Sequence, residues 1–219
     1  MSRLLVLIAS LLVSVAAFWL AFVSSQYAVA ASNLAIVTST HFEHSSRDAV
    51  TALLREQVAR SPYNPELFSE LANTLARSGN IEEAVSAMEA AVGLRRTWPY
   101  DWMALAELYA KARIYDERMT FALQNLNRFG SSERSLIYSK ATFAMRYWYG
   151  FSEVQRDQLI PSVKTILDNK RAARRFAADL EKMNRTDLFC RRFSELVSYG
   201  EVWCAIFERR KKQRRATRT

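Results

Sequence analysis

Pro65 and Pro99 stand 34 residues apart, and the residues that follow them match at helical spacing. Phe68 aligns with Trp102, Leu71 with Leu105, Ala72 with Ala106 and Leu75 with Tyr109. Large apolar side chains three, four and seven residues apart fall on one stripe of an α-helix. Each segment therefore reads as an amphipathic helix opened by a proline, whose fixed φ and missing N–H suit the first turn. Gly79-Asn80 marks a turn, and a second helix follows in which Ala84, Met88 and Ala91 run small, large, small. The small side chains set the packing: Ala72 on the first helix lets Ala84 on the second approach closely. A helix–turn–helix repeated at this period buries its apolar faces only by stacking on a neighbour, so it dictates a helical-repeat body. Composition agrees. Five Gly and four Pro in 219 residues leave little turn material for a many-stranded sheet, and no stretch alternates with period two. The expected fold class is all-α.

The spacing is that of the tetratricopeptide unit, over residues 46–130. Run backwards, the register places Pro62 at a closing proline and makes residues 46–60 a half-repeat. Its helix would be capped by Ser45 or Ser46, with Ala49, Leu53, Leu54 and Val58 on one face. The second repeat departs from the pattern, because Arg118, Ala122 and Asn125 stand where small, large and small residues are expected. The register also assigns a partner-binding groove. Its residues are Glu66, Ser69, Asn73 and Arg77 in the first repeat, then Tyr100, Met103, Glu107 and Lys111 in the second. Asn73 carries both a donor and an acceptor for a peptide backbone. The groove lacks the dense Lys/Arg set that clamps a carboxylate, and a merely solvated helix face is the competing reading.

Residues 131–208 keep the helical stripe without the repeat and read as three to five helices capping the stack. Ser131 and Ser132 precede a helix bearing Leu136, Phe143, Tyr147 and Trp148. Ser152 can cap the next from Glu153, with Pro161 either kinking it or opening a new segment. Cys190 and Cys204 close a loop of about 15 residues if oxidised, worth about 3 kcal/mol in the chain-entropy model. Gly200 between them would let two short helices fold back. Two buried free thiols are the alternative.

Leu4 to Val23 is a run of twenty uncharged residues without proline, long enough as a helix for a bilayer core of about 30 Å. Arg3 precedes it and Arg47 is the next basic residue. The expectation is a signal anchor over residues 1–25 and a juxtamembrane linker over 26–45. The chain would cross a bacterial cytoplasmic membrane once, amino end inside and body in the periplasm. A signal peptide cleaved after Ala30 is the competing reading, from the small-x-small triplet Ala28-Val29-Ala30.

The formal net charge is +9, and residues 209–219 hold seven basic side chains and no acidic one. Arg209, Arg210, Lys211, Lys212, Arg214, Arg215 and Arg218 thus form a basic tail on a nearly neutral body. It is expected to be disordered and drawn to anionic lipid or polysaccharide. Nucleic acid is not expected as a partner, because the charge lies outside the fold. The two histidines, His41 and His44, have no third ligand nearby, and a solvated linker explains them better than a metal site. No glycine loop for phosphate and no Ser-His-Asp set can be assembled, and Glu82-Glu83 reads as first-turn charge opposing a helix dipole. No catalytic site, metal or cofactor is expected. Trp98 and Tyr100, at a helix entrance, are the aromatics with the best chance of stacking on a sugar, although core packing explains most of the others.

Phe129-Gly130, Glu133, a helix ending in Trp148, and Gln158-Leu159 together resemble a pattern in bacterial polysaccharide-secretion proteins of the VpsP type. Trp98 to Trp102, WPYDW, is compatible with it, whereas Ser131-Ser132 replaces the Pro-Trp of the pattern. The resemblance spans roughly residues 1–170. It implies a membrane-anchored scaffold supporting an exopolysaccharide biosynthesis or export complex, with its envelope proteins as partners. A glycan-binding module and a general envelope assembly chaperone are the alternatives.

Overall fold

A computed structural model describes residues 12–22, 24–25, 47–196 and 200–216. Every regular element among them is helical. The chain divides into two compact units, Met1–Arg95 and Arg96–Thr219.

The first unit holds α1 (residues 12–22), α2 (Arg47–Arg60), α3 (Pro65–Arg77) and α4 (Ile81–Leu94). Asn64 starts α3: its Oδ1 accepts from the Glu66 N–H at 3.0 Å, and Pro65 takes the first helical position. The helix ends at Ser78 and Gly79. Gly79 takes φ +87°, its N–H donates to Ala76 O, and the Asn80 N–H donates to Leu75 O at 3.0 Å. This is a Schellman closure, which needs a left-handed residue and so favours glycine. The chain then returns as α4. Leu67, Leu71, Ala72 and Leu75 are buried in α3, as are Ala84, Met88 and Ala91 in α4. The alanines at the hairpin seam have no exposed surface, so the small-for-small packing of the repeat is realised. On α2 the buried positions are Thr51, Leu54 and Gln57, while Ala49 is exposed and Leu53 and Val58 are only half-buried. The face differs from the apolar one because Thr51 and Gln57 are both engaged by partners, which removes the penalty on burying them. Arg55 grips Glu83 with two nitrogens, at 3.0 and 2.7 Å, tying α2 to α4. The proposed caps Ser45 and Ser46 and the histidines His41 and His44 lie outside the described residues.

The expected membrane helix is not found among the described residues. Residues 12–22 make about three turns, roughly 16 Å at 1.5 Å per residue. No described helix is long and apolar enough to cross a membrane. The rest of Leu4–Val23 lies outside the described residues. The single-pass topology, and the periplasmic placement of the body that followed from it, are therefore not supported.

The second unit runs α5 (Pro99–Lys111), α6 (Glu117–Gly130), α7 (Arg134–Tyr147), α8 (Glu153–Asp168), α9 (Lys170–Lys182), α10 (Thr186–Arg192), a 3-10 turn (Ser194–Leu196) and α11 (Gly200–Ala216). The α5–α6 hairpin repeats α3–α4 with one change. Arg118 points out, pairing with Asp116 at 3.0 Å and lying over the Tyr109 ring at 5.7 Å. The buried residues are instead Met119, Leu123 and Leu126, each with no exposed surface. They repeat the spacing of Ala84, Met88 and Ala91 at an offset of 35 rather than 34. One extra residue in the turn rotates the second helix and converts small-large-small into three large side chains. The turn itself reuses the Schellman bonds: Ile114 N–H to Tyr109 O at 2.8 Å and Arg113 N–H to Ala110 O at 3.2 Å. Here Arg113, at φ +58°, stands where the first repeat has Gly79. A third copy closes α9, with Asn184 at φ +54° and the Arg185 N–H on Leu180 O.

Ser152 and Gln155 form a reciprocal capping box at the start of α8. The Gln155 amide nitrogen reaches on to Tyr115 O at 3.0 Å, Asp116 O at 3.1 Å and Thr120 Oγ1 at 2.9 Å, pinning the α5–α6 turn to α8. Pro161 lies within α8, which continues past it to Asp168. Asn169 caps α9 through Arg171 and Ala172. The core of these helices is aromatic: Trp148 meets Phe193 edge-on at 5.0 Å, and Phe189 meets Phe207 at 6.0 Å. Beside it Cys190 of α10 and Cys204 of α11 are joined by a disulfide with Cα atoms 5.6 Å apart. At Gly200 a Cβ would fall 2.0 Å from the Ser194 carbonyl oxygen, so α11 can start there only on glycine.

The basic tail is not a disordered extension through its length: α11 carries residues 209–216 as helix. Arg, Lys and Gln are strong helix formers, and the packed Phe207 turn gives them a helix to extend. Arg210 pairs with Glu181 at 2.8 Å and Lys211 with Asp187 at 3.4 Å, so two tail charges are met within the unit. Arg218 lies outside the described residues.

Candidate binding surfaces

In the first unit the groove residues follow the exposed side of α3. Glu66 faces Arg95 at 3.6 Å, and Arg77 reaches Glu70 at 3.1 Å and Thr74 Oγ1 at 3.2 Å. These are exposed ion pairs, worth at most about 1 kcal/mol each, but they occupy the side chains at both ends of the row. Ser69 is half-buried and has a partner. Asn73, between them, is exposed, and its amide makes no side-chain hydrogen bond among the described residues. The hairpin beneath it is fixed by the Gly79 closure and the buried leucines of α3.

In the second unit the four groove positions of α5 separate. Met103 is 5 % exposed and belongs to the core, which corrects its assignment to the groove. α5 is buried around most of its circumference, from Asp101 and Trp102 through Leu105, Ala106, Leu108, Tyr109 and Ala110, so position 103 has no open side to offer a groove. Glu107 is half-buried and Lys111 exposed. Tyr100 is 40 % and Trp98 44 % exposed, with ring centroids 5.3 Å apart, and the Tyr100 hydroxyl lies 3.0 Å from Ser135 Oγ. Trp102 and Tyr109 are buried, the Trp102 Nε1–H donating to Arg96 O at 2.7 Å. Tyr149, another of the aromatics able to stack on a sugar, is exposed with the Arg185 guanidinium 5.5 Å from its ring. Arg209 and Lys212 stay exposed on α11. Nothing is described of the Arg214 and Arg215 side chains.

Two further groups were missed. Tyr138 on α7 donates its hydroxyl to Asp179 Oδ2 on α9 at 2.6 Å, with Arg175 over its ring at 4.7 Å. Burial first, and then the Asp179 carboxylate, push the phenol up to about 12. Lys140, also on α7, is 3 % exposed, and its Nζ donates to Asn127 Oδ1 at 3.0 Å. Burial pushes its ammonium down from the ordinary lysine range. The signal was present in the sequence: Lys140 occupies the stripe of Leu136 and Phe143, a cation in a row of core positions. Among the described residues no three His, Cys, Asp or Glu side chains converge to hold a metal.

No family model matches the chain, and no curated protein matches it. Among solved structures, the crystal structure of MamA protein is similar over 68 % of this chain and 71 % of that one, at 13 % identity and a TM-score of 0.44. The chain has a tetratricopeptide-like helical-repeat fold, on the register, the turn closures and the buried residues of its own two hairpins.

Proposed function

We propose that this chain is a non-catalytic adaptor that binds an extended segment of a partner protein along the exposed face of α3. The observation that carries the reading is Asn73, whose exposed amide makes no side-chain hydrogen bond among the described residues while its flanking charged residues are tied to their own neighbours. An extended peptide offers alternating N–H and C=O groups, and an Asn amide meets one of each. Glu66 and Arg77 frame the contact with opposite charges and set the direction of the bound segment. The setting we propose is an exopolysaccharide biosynthesis or export complex, which rests on the VpsP-like residues Phe129-Gly130, Glu133, Trp148 and Gln158-Leu159.

A photo-crosslinking residue at Arg77, one turn from Asn73 on the same exposed face, should capture a discrete protein, and unlabelled native chain should compete that capture away better than unlabelled Asn73→Ala chain does. Capture of nothing above an exposed control position such as Glu82 would sink the adaptor reading. Loss of extracellular polymer in cells lacking the chain, restored by re-expression, is expected. Unchanged polymer would remove the polysaccharide setting and leave the adaptor. Normal polymer with broad protein-assembly defects would point to a chaperone role instead.

Trp98 and Tyr100 favour one second reading, a glycan contact, because both rings are half-exposed and adjacent. The double replacement Trp98→Ala, Tyr100→Ala should then abolish binding to purified polymer. Unchanged binding disposes of it.

A further inference from the structure

Over residues 164–175 the chain carries five cations, Lys164, Lys170, Arg171, Arg174 and Arg175, and one acid, Asp168. All but Lys164 fall in the first six residues of α9, where the helix macrodipole is already positive and no acid stands in the first turn. Arg171 stands three residues before Arg174 and four before Arg175, the spacings at which like charges repel along a helix. Burial offers no compensation: Phe176, Ala177 and Leu180 face the core, while Lys170, Arg171, Arg174 and Arg175 are exposed. Other cations of the second unit find acids, Arg118 at Asp116, Lys182 at Asp179, Arg210 at Glu181 and Lys211 at Asp187. Arg175 lies over the Tyr138 ring at 4.7 Å, whereas Lys170, Arg171 and Arg174 have no ion pair or side-chain hydrogen bond among the described residues. α7, which packs against α9, has no acidic residue to answer them, and Asp179 is engaged by Tyr138 at 2.6 Å and Lys182 at 3.5 Å. The arrangement weakens the helix that bears it and is satisfied by an anion from outside the chain.

We propose that the exposed α9 stripe of Arg171, Arg174 and Arg175 docks an extended acidic segment of a partner protein. Arginine presents a planar fork that meets a carboxylate with two parallel N–H bonds. Side chains three or four positions apart on a helix stand about 5–6 Å from each other. Alternate side chains of an extended chain point the same way at a spacing of about 6.6 Å, so acidic residues at i and i+2 reach Arg171 and the Arg174–Arg175 pair together. α7 supplies the complement to the segment's backbone. Ser139 and Thr142 are half-buried within a turn of Tyr138, the residue through which α7 bonds α9. Each donates its hydroxyl within α7, to Ser135 O at 3.0 Å and to Ser139 O at 2.9 Å. Their oxygens keep lone pairs for N–H groups, which a peptide backbone carries and a phosphodiester does not. A nucleic-acid strand is held by aromatic platforms and a lipid surface by large apolar side chains, and beyond its cations the α9 stripe offers only Ala178. The surface lies wholly in the second unit and stands or falls independently of the α3 reading.

The probe is a fluorescein-labelled peptide of five Asp-Ser repeats, with Asn-Ser repeats as its neutral counterpart, read by anisotropy on the full chain at low ionic strength. The Asp peptide should bind at least about tenfold more tightly than the Asn peptide. Arg171→Gln with Arg174→Gln should cost the Asp peptide at least about the same factor. Arg209→Gln with Lys212→Gln removes as much charge from the exposed side of α11 and should shift the binding by less than about twofold. Arg171→Lys with Arg174→Lys keeps the charge without the fork and should fall between the native chain and the glutamine pair. The glutamine pair on α9 should melt no lower than the native chain, because its loss relieves a repulsion. Melting several degrees lower would overturn the proposal, since the arginines would then serve the fold. So would failure of the Asp peptide to bind, or an equal loss on the α11 replacements, which would reduce the effect to net charge. Phosphatidylglycerol vesicles or a thymidine oligonucleotide binding more tightly than the Asp peptide, and losing that binding in the α9 pair, would overturn it in favour of lipid or nucleic acid.

Discussion

Three helices of this protein end on the same pair of backbone hydrogen bonds, and the left-handed residue in each differs: Gly79, Arg113 and Asn184. The left-handed region costs an L-residue about 1–2 kcal/mol, because the Cβ crowds the following carbonyl oxygen. Glycine escapes that cost, and asparagine recovers part of it by local hydrogen bonding. At Gly79 a Cβ would meet no atom within 4 Å, so Gly79→Ala isolates backbone conformation from packing. The stiffer unfolded chain returns about 0.4–1 kcal/mol, which leaves a net destabilisation of about 1 kcal/mol or slightly less. Arg113→Gly runs the same ledger in reverse. Arg113 is exposed, so little packing is lost, and the variant should be more stable by a similar amount. Asn184→Gly should gain distinctly less. Urea unfolding of the three variants, followed by circular dichroism at 222 nm, reads the shifts as midpoint changes at constant slope. The expected order is Arg113→Gly above Asn184→Gly above the native chain, with Gly79→Ala below it. Arg113→Gly falling below the native chain would refute the reasoning, since the Arg113 side chain would then supply more than its backbone costs.

Opening the Cys190–Cys204 bond, by reductant or as the double serine variant, should lower stability by about 3 kcal/mol, and unfolding midpoints with and without dithiothreitol check it. A thiol assay on the denatured, unreduced chain should find no free cysteine. Gln155→Leu strips the Tyr115 and Asp116 carbonyls of a shared donor in a buried site and should cost about 2–3 kcal/mol, whereas Gln155→Glu trades the donor for an acceptor and should cost at least as much. Tyr138 gives a pH signature. Its folded value near 12 exceeds the ordinary 10.0, so its stabilisation is whole below pH 10 and is lost as pH rises from 10 to 12. Tyr138→Phe should flatten the stability profile in that window, and an unchanged slope would deny the Asp179 contact any role.

The parts legible in the sequence were those that local chemistry decides. Pro65 and Pro99 open their helices, Gly79 turns the first hairpin, and Ser152 caps α8, because each residue acts within a few positions of itself. The α6 register was harder. Reading at a fixed 34-residue offset brought Arg118, Ala122 and Asn125 to the packing positions and made the second repeat look irregular, although Met119, Ala122, Leu123 and Leu126 already formed an unbroken helical stripe. Arg113 gave no warning, since nothing in its neighbourhood marks a left-handed arginine. Lys140 was visible as a cation among core positions but acquires meaning only when Asn127 and Gln158, 13 and 18 residues away, close around it. The apolar amino-terminal run illustrates the opposite failure: its composition permits a membrane helix, and among the described residues no helix is long and apolar enough to be one. The tail failed because charge was counted without its partners, Glu181 and Asp187.

Gly200 has a bearing on how this protein can change over generations. The Ser194 oxygen that crowds position 200 is backbone, so no neighbouring substitution can make room for a side chain there. The close approach lies at the same α10–α11 junction that the Cys190–Cys204 disulfide and the Phe189–Phe207 contact hold together. Glycine 200 and the two cysteines should accordingly be inherited as a trio. A lineage that abandons either cysteine releases the glycine to drift, and one that replaces the glycine has already lost the geometry that the cysteines join.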